Sequence, residues 1–148
     1  MKMKLMVFSI TTMLFLGGCS LLEDVNNSVT YVNEATEYVG EVNTFVSEVP
    51  TLAEQAVSDE LARLDLESKL TDMKEDIEAF NELQAPELAN DLHQQIIEHN
   101  NTALEGIDLY LHNIKDGKFD TALLENSEFF TSLQEITDTV DQIKELGL

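Results

Sequence analysis

From Val25 onward the apolar residues fall on a seven-residue beat. Val25, Val32, Val39 and Val46 share one heptad position, and Tyr31, Tyr38, Phe45 and Leu52 share the adjoining one. Ser28, Ala35, Val42 and Val49 occupy a third position, close to both on a helical wheel. A stripe this wide, with period seven and no period-two alternation, predicts a helix over about 21–48 that packs in a bundle. Its β-branched residues and Gly40 lower its intrinsic helix propensity, so packing must supply much of its stability. Pro50 is expected to close it.

The remaining chain repeats the logic with different residues. Thr51-Leu-Ala-Glu54 has capping-box form and predicts the start of a second helix over about 51–83. Leu66, Leu70, Met73, Ile77 and Phe80 recur at spacings of four and three along it. Ser58-Asp59 is a potential interruption, because the apolar phase shifts around Leu61 and Leu64. Pro86 suits the first turn of a third helix over 86–115, whose face carries Ala89, Ile96, Ala103, Ile107, Tyr110 and Ile114. Asp116-Gly117 is a turn signal. Asp120 is the expected N-cap of a fourth helix over 120–146, with Phe130, Leu133, Ile136, Val140 and Ile143 as its stripe and Gly147 at its end. Four such helices on short loops predict an all-α chain, an antiparallel up-down four-helix bundle. A three-helix core with a separate N-terminal helix is the alternative.

The first eighteen residues follow a different pattern. Lys2 and Lys4 precede a mostly apolar stretch, Leu5 to Leu16, which is too short to span a membrane comfortably and has the form of an export signal. Leu16-Gly17-Gly18-Cys19 follows at once and resembles the bacterial lipobox. Small residues at Gly17 and Gly18 let a peptidase approach the backbone, and the thiol of Cys19 accepts a diacylglycerol. The expected organisation is a cleavable lipoprotein signal peptide over 1–18 and one acidic helical domain over 19–148. Two acyl chains would hold that domain on the extracytoplasmic face of the cell membrane.

Composition narrows the function. The chain has 148 residues, 29 Asp and Glu against 8 Lys and Arg, and a net charge of −21; losing Lys2 and Lys4 with the signal takes this to −23. Phosphate contacts need clustered bases, so a nucleic-acid binder is excluded. The one Cys permits no internal disulfide and no thiolate metal cluster. At 43% apolar residues the chain is also too hydrophobic for a disordered acidic tail.

Few residues point to chemistry. His93, His99 and His112 all fall in the third helix, and at ~100° per residue they diverge by about 120° and about 140°. No Glu-x-x-His accompanies them, which argues against a di-iron bundle. Asp72, Glu75 and Asp76 have an i, i+3, i+4 spacing that lets them share one divalent cation, without an EF-hand loop; a solvated acid face is the simpler reading. No Gly-x-Ser-x-Gly, phosphate loop or Ser/His/Asp grouping occurs. The expectation is a non-enzymatic chain with no cofactor and no catalytic residue. Asn26, Asn27, Asn33 and Asn43 recur in a predicted helix although Asn is unfavourable there, and hydrogen bonding to a wall polymer or partner is one use for them.

Several segments carry a family resemblance. Cys19-Ser-Leu-Leu-Glu-Asp-Val-Asn-Asn27, Tyr31-Val-Asn-Glu-Ala-Thr36, Gln55-Ala-Val57, Phe80-Asn81 with Pro86, and His93-Gln-Gln95 resemble a family of small uncharacterised lipoproteins of Bacillus-like Firmicutes. The resemblance covers most of residues 16–115. It implies export, lipidation at Cys19 and a helical fold, and it implies no reaction. Together these readings predict a lipid-anchored interaction module whose partner is an envelope protein or wall polymer. The alternative is an extracytoplasmic binder of a cation or small ligand that uses the acid faces.

Overall fold

A computed structural model describes the backbone of residues 18–115 and 128–147, and the side chains of residues 27–114 and 128–147. Among the described residues the regular elements are helical: α1 (Gly18–Ala56), α2 (Glu60–Asn81), α3 (Asn90–Lys115) and α4 (Glu128–Glu145), with a 3-10 turn (Glu87–Ala89) leading into α3. Each helix packs on its neighbours in the chain, and α4 closes the ring against α1. The arrangement is the predicted antiparallel bundle. One end of it, here the lower end, carries the start of α1, the α2–α3 connector and the end of α4. The α1–α2 turn lies at the upper end.

The heptad stripe of α1 becomes one wall of the core. Tyr31, Ala35, Tyr38, Val42, Phe45 and Val49 are all buried, as are Leu66, Leu70, Met73, Ile77 and Phe80 of α2. On α3 the predicted face is buried at Ala89, Ile96, Ala103, Ile107, Tyr110 and Ile114.

The first boundary differs from expectation. Pro50 does not close α1, which runs through it to Ala56. The Thr51–Glu54 segment is therefore mid-helix and starts nothing. Pro50 itself is exposed, while Val49, Ala53 and Ala56 continue the buried stripe, so core packing outweighs the lost N–H. The break falls instead at Val57–Asp59. Asp59 caps α2, its carboxylate accepting from the backbone N–H of Leu61 (2.8 Å) and Ala62 (3.4 Å). Ala62 and Leu66 then take the inward positions, and Leu61 and Leu64 are left exposed. The second helix ends at Asn81 rather than 83, and the α-helical part of the third begins at Asn90, after the 3-10 turn that follows Pro86.

On α4 the core position belongs to Phe129, not to Phe130, which is half-buried against it. Leu133, Ile136, Val140 and Ile143 are buried as the stripe requires. Gly147 adopts a left-handed φ of 71°, the conformation expected of a residue that terminates a helix. The Asp116-Gly117 turn, the Asp120 cap, Leu16, Gly17 and the rest of the signal segment lie outside the described residues. Gly18 opens α1.

Candidate functional site

The most ordered polar feature lies inside the bundle, across its diagonal. Helices α1 and α3 run parallel, and their heptads match at a constant offset. Tyr31 Oη and His93 Nδ1 share a hydrogen bond (3.0 Å). One heptad higher, Tyr38 Oη donates to Asn100 Oδ1 (2.5 Å), and Asn100 Nδ2 donates to Asn81 Oδ1 (2.7 Å). Phe80 stacks on Tyr38 at 4.5 Å between ring centroids and lies 5.2 Å from the His93 ring. Above this level the matched positions are apolar, Phe45 beside Ile107 in the chain register. The lower half of the core thus carries two hydrogen-bonded polar layers.

His93 is a structural histidine in this setting. With Nδ1 accepting from Tyr31, the other ring nitrogen carries the proton and serves the hydrogen bond to the Leu83 backbone. Burial pushes the imidazole below its ordinary value of 6.5, and the Leu83 bond opposes this in part. Burial likewise raises the Tyr31 and Tyr38 phenols far above the ordinary range.

The sign of the His93 linkage follows from the direction of its shift. A folded value below the unfolded one means that the unfolded chain binds the extra proton. The stability due to neutral His93 is therefore full above 6.5 and is lost as pH falls below it. At ~pH 7, His93→Phe costs about 1–3 kcal/mol by orphaning buried groups. The difference in melting temperature between wild type and His93→Phe should shrink as pH drops to ~5, because only the wild type has this proton to take up. A constant difference across that range would refute the assignment.

A second feature is an acidic groove of ≈ 290 Å³ on the outer seam of α1 and α2. Glu37, Glu41 and Glu48 approach it from α1, and Asp72 and Asp76 from α2. Of the three carboxylates with cation spacing, Asp72 and Asp76 line the groove, whereas Glu75 is exposed outside it. Burial holds Glu41 above its ordinary value, followed by repulsion from Asp76 and Glu37; Asp76 is raised by burial, then by Asp72 and Glu75. Lys69 Nζ donates to Glu48 (2.7 Å) at the upper end of the groove. Among the described residues no three His, Cys, Asp or Glu side chains gather closely enough to hold a metal ion.

The groove stores repulsion, and mobile ions should relieve it. Raising ionic strength from low to moderate is expected to increase the melting temperature by a few degrees, with Mg²⁺ acting at lower concentration than Na⁺. Asp76→Asn should reproduce part of the gain at low salt. A flat response in thermal unfolding would count against this account.

The third feature is a half-open cleft of ≈ 590 Å³ at the lower end of the bundle. Asn27, Ser28 and Glu34 of α1 face Gln84 and Glu87 of the connector across it, with Tyr31 on its wall. Its size is that of a small-molecule site. His99 pairs with Glu135 of α4 at 3.0 Å, well away from His93, and the three histidines do not converge. Among the predicted asparagines Asn27 lines the cleft, Asn33 is exposed, and Asn43 accepts from Thr137 of α4 at 3.3 Å. The polar layers built by His93, Asn100 and Asn81 were not predicted. The signal was present in sequence, since Tyr31 and Tyr38 are seven apart and so are His93 and Asn100.

Residues 31–146 match a family of unknown function (DUF6376), and the chain belongs to that family. The match begins at Tyr31, the first buried residue among those described, and runs to the end of α4. The chain is also 38% identical over 147 residues to the uncharacterized lipoprotein YybP of Bacillus subtilis (strain 168), covering 99% of each chain. This relative is of the kind that the sequence resembles. No solved structure matches.

Proposed function

We propose that this family member is an envelope lipoprotein, acylated on Cys19 and held on the extracytoplasmic face of the cell membrane as a non-enzymatic interaction module. One observation carries the reading: Leu16-Gly17-Gly18-Cys19 stands behind a basic and apolar leader, in a chain aligned over 99% of its length with a lipoprotein. Among the described residues no helix is long and apolar enough to cross a membrane. Four of the interior polar groups, Tyr31 with His93 and Tyr38 with Asn100, are spent on each other, which supports a binding surface outside the core.

Cys19→Ala should move the protein from the membrane fraction to the soluble one, as followed by fractionation and mass spectrometry of the N-terminal peptide. In-cell crosslinking of the wild type, purified under denaturing conditions with Cys19→Ala as control, tests the module itself. Recovery of an envelope protein or wall fragment that the control loses supports it. Crosslinks indistinguishable from the control refute it.

The lower cleft favours a second reading, an extracytoplasmic binder of a cation or small polar ligand. Its described lining has acids, amides and hydroxyls and no base, which suits a neutral or cationic guest. A thermal-shift panel of cations, amines and wall sugars separates the readings, since a module without a ligand stays unshifted beyond the general salt effect.

A further inference from the structure

We infer that the lower cleft binds a hydroxylated amine of the amino-sugar class, its ammonium held by Glu34 and Glu87 and its hydroxyls by the amides beside them. The inference deepens the second reading above and rests on the cleft being a ligand site. The cleft is ≈ 590 Å³, within the range of small-molecule sites and ample for a sugar-sized guest. On the α1 wall, Asn27, Thr30 and Glu34 recur at spacings of three and four, so one helix face presents an amide, a hydroxyl and a carboxylate in order. The facing wall is the α2–α3 connector, which presents the Gln84 amide and the Glu87 carboxylate.

Both walls are fixed from behind by the core. His93 shares one hydrogen bond with Tyr31 on the α1 wall and another with the backbone of Leu83, next to Gln84. Pro86 leads into the 3-10 turn over Glu87–Ala89, which the Ala89 N–H closes on the Pro86 carbonyl at 2.9 Å, and this sets the backbone of Glu87. A site whose walls are set before the guest arrives loses little affinity to ordering.

Among the described side chains, no cation of the chain itself reaches this cleft. Arg63 pairs with Glu60, Lys69 with Glu48, Lys74 with Asp108 and Lys144 with Asp141, and none of these lines it. Glu34 also lines a smaller cavity of ≈ 210 Å³ on the α1–α2 seam, together with Glu37, Glu41 and Asp76, so the field along that wall draws a cation in. Carboxylates alone would accept any cation, and the selective element is neutral. Asn27 and Gln84 each offer a carbonyl acceptor and an NH₂ donor, the groups that hydroxyls beside an ammonium need. The same lining repels a phosphorylated guest.

The test uses the full-length protein from a host that acylates it, in detergent micelles at fixed ionic strength, titrated calorimetrically with glucosamine. Glucosamine is expected to bind saturably. It should bind about tenfold more tightly than N-acetylglucosamine, which lacks the charge, or methylammonium, which lacks the hydroxyls. Glu34→Gln and Glu87→Gln, both at exposed positions, should each weaken it about threefold and together about tenfold. Glu105→Gln, exposed on α3 ~22 Å above its first residue, should leave it unchanged. A glucosamine trimer that binds more tightly than the monomer supports amino sugars within a polymer as the source, and equal affinities support a free one. Thr30→Trp, at an exposed lining position, fills the cleft and should abolish binding. If N-acetylglucosamine or methylammonium matches glucosamine and Thr30→Trp abolishes both, the cleft stands as a site and the amino-sugar assignment is overturned. Gln variants at 34 and 87 that bind as the wild type does, or a Glu105→Gln effect as large as theirs, overturn it too. If no probe binds saturably, or binding survives Thr30→Trp, the cleft reading and the assignment fall together.

Discussion

Phe129→Ala is expected to lower the unfolding free energy by about 3–5 kcal/mol, a large part of the ~5–15 kcal/mol that holds such a domain. Phe129 is 2% exposed and is the hub of an aromatic cluster. Its ring meets Phe45 of α1 edge-on at 5.9 Å, Tyr110 of α3 at 6.5 Å and Phe130 at 4.9 Å. The residue therefore ties α4 to both helices it packs against, and truncation leaves a cavity where three helices meet. Gly106 makes the seat. A Cβ at that position would lie 2.9 Å from Phe129 Cβ, inside normal contact distance.

A coupling between the two positions follows. In the wild type, Gly106→Ala gains ~1 kcal/mol of helix propensity and meets an overpacking cost of about 1–3 kcal/mol, so it destabilises or at best breaks even. In the Phe129→Ala background the contacts with Cγ and Cδ2 are gone and only the 2.9 Å approach to Cβ remains, so the same change should cost less than it does in the wild type. Urea unfolding of the four proteins measures the coupling. Equal effects of Gly106→Ala in both backgrounds would show that the glycine does not seat the ring.

The bundle was legible where one helix's pattern decides the outcome. Tyr31 to Val49 face inward because a seven-residue apolar beat on a helix has only one side to hide. The pattern was silent where two helices decide together. Phe129 and Phe130 both fit the stripe of α4 by spacing, and the choice between them is made by the missing side chain of Gly106 on α3. The pairing of Tyr38 with Asn100 likewise needs the parallel register of α1 against α3, which no local rule supplies. His93 read alone is a histidine on an apolar helix face. Tyr31 and the Leu83 backbone fix its ring, and burial keeps it neutral. In the candidate site, the spacing of Asp72, Glu75 and Asp76 placed them on one helix. It could not tell that the seam with α1 would draw in Asp72 and Asp76, set them against Glu37 and Glu41, and leave Glu75 outside. The lipobox reading stands on sequence and on likeness to a lipoprotein, because the Cys19 side chain lies outside the described residues.

Pro50→Ala is expected to stabilise the domain by about 2 kcal/mol. Pro in a helix interior is ~3 kcal/mol worse than Ala, because it removes the bond to the carbonyl four residues back and its ring crowds that carbonyl. Here the carbonyl is that of Val46, and Pro50 is exposed, so the ring adds little packing in return. Against the gain stands the loss of proline's restraint on the unfolded chain, about 0.4–1 kcal/mol. The helix already continues through Thr51–Ala56 and buries Ala53 and Ala56, so alanine asks for no rearrangement. Urea unfolding gives the net change, and hydrogen exchange locates it, since the amides of residues 50–54 should slow more than those of α3. A destabilised Pro50→Ala would mean that α1 must bend at this point to keep Val49 and Ala53 against its neighbours. Proline would then shape the upper end of the bundle rather than burden it.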